Sequence, residues 1–169
     1  MARGNGEQLV EDPEETLRRL GGFLPFPTGR VDGLARALEA LGCRLAVCDI
    51  SPLGIAAARR AGVPSVLVEN FTWDWIYEPY SINFPAYSKV IGTLAETFEG
   101  ATARIQTEPV CRRDPRFRSV PPVSRRPRTA PPLVRARLGV PEAVPLVLLT
   151  TGGIPWRHAS LRRLEEASG

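Results

Sequence analysis

The sequence predicts an α/β fold built on a parallel sheet, and three features of its 169 residues carry that prediction. Residues 44–50 (RLAVCDI) and 64–70 (PSVLVEN) are apolar runs of strand length, without the alternation of a strand that has one face in water. The residues between them, SPLGIAAARRAGV, read as one helix, with Ser51 as N-cap, Pro52 at the first position and Gly62 as the stop. Strand, helix and strand so close together make a βαβ unit, whose crossover sets the two strands parallel and right-handed.

The other elements follow in chain order. Residues 12–26 (DPEETLRRLGGFLPF) predict a short helix, capped by Asp12, opened by Pro13 and stopped at Gly21-Gly22. A second helix over VDGLARALEALGC places Val31, Leu34, Leu38 and Leu41 on one face. After the βαβ unit, residues 85–100 read as a helix and ARIQTEP as a short strand. Residues 111–130 are rich in proline and arginine, lack periodicity and read as a linker or irregular crossover. PPLVRARLGV then predicts a helix, and VPLVLLTTGG a strand that ends in a glycine pair. The expected organisation is a sheet domain over 1–110, a linker over 111–130 and the start of a second α/β domain over 131–169.

Composition narrows the function classes. An apolar content of 43% supports a core, while no run approaches the eighteen apolar residues of a membrane span and the N-terminus lacks a signal-peptide core. A cytoplasmic protein without a transmembrane segment is therefore expected. Three cysteines and one histidine match no paired metal spacing, so no metal site is expected, and Cys43 and Cys48 read as small buried hydrophobes. The net charge of +4 comes from arginines crowded between Arg104 and Arg137. Prolines interrupt that stretch and no aromatic rings interleave with it, so nucleic acid is not the expected partner.

Ligands of open parallel sheets bind beyond the carboxyl ends of the strands, where loops diverge and helix N-termini present free N–H groups. Three such corners are legible: CDISPLG, ENFTWDW and TTGGIPW. Asp49 at the first can accept a hydrogen bond from a ligand hydroxyl or act as a base, although Asp49 and Ser51 would equally serve as helix caps. In the second, Phe71, Trp73, Trp75 and Tyr77 fall at alternate positions with Thr72, Asp74 and Ile76 between them. An extended segment would present rings on one side and a polar edge, with Asn70 and Asp74, on the other. Rings beside carboxylates and amides suit a sugar, whose C–H faces stack while its hydroxyls need directional partners; rings plugging the sheet end or a domain interface are the other reading. At the third corner Gly152 and Gly153 would let backbone N–H groups approach a diphosphate. No dinucleotide or P-loop motif is present, and His158 reads as a surface residue.

The stretch LAVCDISPLGIAAARRAGVPSVLVENFTWDWIY, followed in order by RIQTEP, VPPVSRRPR and VPLVLLTTGG, resembles the N-terminal domain of GT-B glycosyltransferases of the MurG-like branch and the glycosyltransferase-like half of plant-type arabinokinases. The similarity runs from about Glu15 to Pro155. It implies two facing Rossmann-like domains, an acceptor held by the first, a nucleotide-sugar donor held by the second, and transfer without a metal or other cofactor. On that resemblance Asp49 and Asp74 are the candidate bases, and Ser51, Asn70, Thr72 and Trp73 the sugar contacts. Thr151, Gly152 and Gly153 would close over the donor phosphates. The family's opening strand has no counterpart before Glu11, and its nucleotide-binding elements would follow Trp156. The expectation is thus a fragment truncated at both ends and inactive alone, with a non-catalytic carbohydrate-binding or partner subunit as the alternative, and with open sheet edges that favour self-association.

Overall fold

The structure, a computed structural model, describes residues 3–5 and 8–148. Contacts divide the chain into two compact units, Pro13–Val123 and the pair of stretches Met1–Asp12 and Ser124–Gly169.

The Pro13–Val123 unit begins with helices α1 (Pro13–Gly21) and α2 (Thr28–Ala40), then alternates β3 (Ala46–Asp49), α3 (Pro52–Arg60) and β4 (Ser65–Glu69). A one-turn helix α4 (Trp73–Tyr77) runs into a 3₁₀ turn (Glu78–Ile82), and α5 (Tyr87–Glu99), β5 (Ala103–Thr107) and β6 (Arg118–Val120) complete it. The strands form one parallel sheet in the order β3-β4-β5-β6, with Val47 opposite Val66, Val68 opposite Ile105 and Ile105 opposite Arg118. The predicted βαβ unit is present with its punctuation. Ser51 is the N-cap of α3 and its Oγ accepts the Gly54 N–H at 3.3 Å. Gly62 ends the helix at φ +67°, a left-handed conformation that glycine adopts without a Cβ clash.

The core lies on one face of the sheet. Cys48 and Leu67 from the strands pack with Ile55 of α3 and with Val90, Leu94 and Phe98 of α5, while Leu17, Leu20, Phe23 and Phe26 close the edge. The sequence reading buried β3 and β4 on both faces, and the structure corrects this: Val47 is 68% exposed and Val66 and Val68 are only half-buried. Each right-handed crossover moves one strand further in the same direction, so α3 and α5 land on the same face and leave the other without a helix between Pro13 and Val123. Burial pushes the Cys48 thiol pKa up, as expected of a small core residue.

Two further corrections concern short strands. β6 lies inside the stretch that read as an irregular linker; its three residues are too few for a periodic signal, and pairing with β5 defines them. In the second unit, β1 (Arg3–Asn5) and β2 (Gln8–Val10) pair as an antiparallel hairpin where no strand was expected. The same unit contains α6 (Pro131–Leu138), as predicted, ended by Gly139. Residues 144–148 of the predicted last strand are irregular and exposed, and they pair with no strand among the described residues. The remainder of that strand, with Thr151, Gly152, Gly153 and His158, lies outside the described residues. Among the described residues no helix is long and apolar enough to cross a membrane.

The surface of the Pro13–Val123 unit is laced with ion pairs that should make its stability acid-sensitive. Hydrogen bonds from Arg18 and Arg19 draw the Glu15 pKa down from 4.5 to about 2, and the Arg116 side chain and backbone do the same to Asp114, from 3.8 to about 2. A carboxylate whose folded pKa is depressed stabilises the fold above its unfolded pKa and ceases to do so as pH falls through the folded value. The contribution is therefore expected in full above about pH 4.5 and absent at about pH 2. Both pairs are exposed, so thermal melts across this window should show a small acid loss that added salt diminishes. A loss unaffected by salt would assign the acid sensitivity to buried groups instead.

Candidate functional site

The corner after β3 is built under strain. Ile50, between Asp49 and Ser51, has φ +46°, a region that β-branched residues almost never occupy. Such a conformation costs about 1–3 kcal/mol and persists only where the surroundings impose it. Here the Ile50 N–H is tied to the Val68 carbonyl at 3.2 Å while the next residue is committed to capping α3. Gly54 permits the tight return, because a Cβ there would lie 3.1 Å from both Cys48 Sγ and Ser51 Oγ. The kink leaves Asp49 exposed at the strand end and turns Ser51 toward the same opening.

A cavity of about 450 Å³ lies at this corner, bordered by Asp49 and Ser51, by Trp73 and Tyr77 of α4, and by apolar residues that include Phe23 and Leu94. Trp73 is 38% exposed, its ring stacked on Tyr77 at 6.2 Å and 27° and met edge-on by Phe71 at 5.3 Å. Burial pushes the Tyr77 hydroxyl pKa up, so it remains a neutral hydrogen-bonding group. Asp49 offers acceptors. The Ser51 hydroxyl, already an acceptor from Gly54, retains its proton to donate.

The aromatic stretch is not extended, which corrects the alternating reading. Thr72 has extended N-cap geometry (φ −124°, ψ 152°), its carbonyl accepts the Ile76 N–H at 3.1 Å, and Asp74 falls in the first turn, where a negative charge is favoured. On a helix Trp73 and Tyr77, four apart, share a face, and the neighbouring Asp74 does not. The structure therefore brings Asp49, Ser51 and Trp73 together, but sends Thr72 and Asp74 to a different cavity. Asn70 is half-buried and borders neither cavity; its carbonyl accepts the Cys111 N–H at 2.8 Å.

That second cavity, of about 210 Å³, is bordered by Glu69, Thr72, Asp74, Glu99, Arg104, Arg112, Asp114 and Arg116 together with Phe71 and Phe98. Sequence reasoning missed its polar floor. Glu69 is buried and paired with Arg104 at 3.0 Å, and Gln106, fully buried, donates to Glu69 at 2.8 Å. The signal was present: in SVLVE the residues Ser65, Leu67 and Glu69 share the buried face, so the carboxylate required a buried partner. Register supplies Arg104 opposite Leu67 and Gln106 opposite Glu69.

A parallel sheet covered by helices on one face, with hollows at the carboxyl ends of its strands, places this chain in the Rossmann-like class of α/β proteins. Over 122 residues, 70% of its length, it is 34% identical to the L-arabinokinase of Arabidopsis thaliana. The matched stretch is 12% of that protein, so the chain spans a small part of the curated relative it matches. No family model matches the sequence. No solved structure matches it either.

Proposed function

We propose that this chain is the acceptor-side, Rossmann-like part of a glycosyltransferase-like protein of sugar metabolism, and that it holds a sugar at the β3 corner. The observation that carries the reading is the meeting of Asp49 and Ser51 with the stacked Trp73–Tyr77 pair around one cavity. The exposed indole receives the C–H face of the ring, Asp49 accepts a hydrogen bond from a sugar hydroxyl, and Ser51 donates one. For transfer, Asp49 acts as the base that takes the proton of the attacking hydroxyl, whose oxygen replaces the departing nucleotide diphosphate on the donor sugar. Similarity to a protein named for an arabinose kinase supports sugar as the ligand class and makes L-arabinose the first probe.

The test is titration of the 169-residue chain with L-arabinose and a panel of other pentoses and hexoses, followed by tryptophan fluorescence. Saturable binding is expected, and Trp73→Ala and Asp49→Ala should each weaken it by about tenfold, the equivalent of about 1.4 kcal/mol. Unaltered binding in both variants would remove this cavity from the function.

A further inference from the structure

We infer that the open edge of β3 seats the apolar run Val144–Leu148 of a second copy of this chain, which joins the sheet there as an added strand. Among the described residues β3 ends the sheet order β3-β4-β5-β6. The N–H groups of Ala46 and Ile50 reach the Pro64 and Val68 carbonyls at 2.9 and 3.2 Å, so the alternating Val47 and Asp49 turn their N–H and C=O groups to the free side. Unpaired groups of this kind template the addition of a strand unless the edge is protected. The opposite edge is protected: β6 has three residues, opens with Arg118 and runs into Pro121-Pro122. β3 has only Asp49, at its last position, and Leu45 and Val47 before it are exposed.

The space beside that edge matches one strand in size. A groove of about 550 Å³ lies between β3 and α2, bordered by Leu34, Leu38 and Leu41 of α2, by Val47 and Asp49 of β3 and by Ala57 of α3. Four residues of strand fill about 13 Å by 4.8 Å by 10 Å, or about 600 Å³. Leu41 is 79% exposed and Leu34 is also open, so the apolar face of α2 beside the groove is only partly covered. The fitting occupant is therefore short, extended and apolar. Residues 144–148 (VPLVL) meet each condition: they carry no charge, lie in neither helix nor strand, and leave Val144, Leu146, Val147 and Leu148 exposed. After Pro145, the three residues Leu146 to Leu148 each offer a backbone donor and an acceptor to the β3 edge. Seating the run of one copy on β3 of another covers both open surfaces at once, and exchange in both directions closes a two-fold dimer.

Sedimentation velocity of the full 169-residue chain over a concentration series tests this. A reversible equilibrium between monomer and dimer is expected. Val47→Lys places a charge in the seat, and the double change Leu146→Asp with Leu148→Asp spoils the run; each should weaken dimerisation at least about tenfold. All three positions are exposed, so the circular dichroism of both variants should match that of the parent. Mixing the two variants supplies one sound edge and one sound run, and dimer should reappear at concentrations where neither variant forms it alone. A monomer at every concentration would overturn the proposal, as would a mixture that shows no recovery. A dimer that survives the double change would be a contact of edge with edge, and one that survives Val47→Lys a contact of run with run; either would overturn it too.

Discussion

Replacing Glu69 with alanine is expected to lower the unfolding free energy by about 3–5 kcal/mol, the usual consequence of removing one partner of a buried ion pair. The Glu69 side chain is 1% exposed and that of Arg104 17%, so water cannot take over the freed guanidinium cheaply. The loss would extend beyond the pair. Gln106 divides its amide between Glu69 at 2.8 Å and the Arg112 carbonyl at 3.0 Å, and its Oε1 accepts the Asp114 N–H at 2.9 Å. This network ties β4 and β5 to the loop that leads into β6. By contrast, the double variant Glu69→Leu with Arg104→Met removes both charges together and should stay within about 1–2 kcal/mol of the parent. Urea unfolding with an unchanged slope would measure both. A single-variant loss below about 1 kcal/mol would show that the pair behaves like a solvated surface bridge.

Tyr87→Ala is expected to cost a similar amount, about 3–5 kcal/mol, for a different reason. The residue is fully buried at the first position of α5, its ring 5.4 Å from Tyr80, 5.6 Å from Tyr77 and 6.4 Å from Phe84. Its hydroxyl donates to the Pro13 carbonyl at 2.7 Å and so anchors the start of α1 to α5. Tyr87→Phe keeps the ring and abandons that carbonyl, which should cost about 1–2 kcal/mol. Comparing the two variants by chemical denaturation separates packing from hydrogen bonding. Equal losses would show that the hydroxyl, and not the ring cluster, holds this corner. Tyr77 rests on Tyr87, so Tyr87→Ala should also loosen the Trp73 platform, a coupling that the sugar titration would register.

Much of the fold was legible because its signals are local. Ser51, Pro52 and Gly62 punctuate α3 through their own backbone requirements, and the apolar runs around Val47 and Val66 have the length and composition of strands wherever they are placed. Signals that depend on a partner were read wrongly or not at all. β6 has three residues and exists through pairing with β5, and the hairpin of β1 and β2 is as short. The aromatic stretch carried both a period of two in its rings and a helix start in Thr72 and Asp74, and the helix start prevailed because α4 closes its backbone bond from Ile76 to Thr72.

The candidate site was half legible. Asp49, Ser51 and Trp73 could be named from strand ends and ring placement, and they do border one cavity. That Asp74 belongs to another, with the Glu69, Arg104 and Gln106 network beneath it, required the register of β5 against β4 and the turn of α4.

By itself, then, the sequence determined the longer helices, the βαβ unit with its parallel strands and the polar and aromatic inventory at the strand ends, because caps, propensity and crossover handedness act over a few neighbouring residues. Only the tertiary structure decided which sheet face is covered, which side chains share a hollow and which distant residues pair with the buried Glu69 carboxylate. Those outcomes depend on residues as far apart as Glu69 and Arg104, brought together by strand register and helix phase, and no local pattern encodes them.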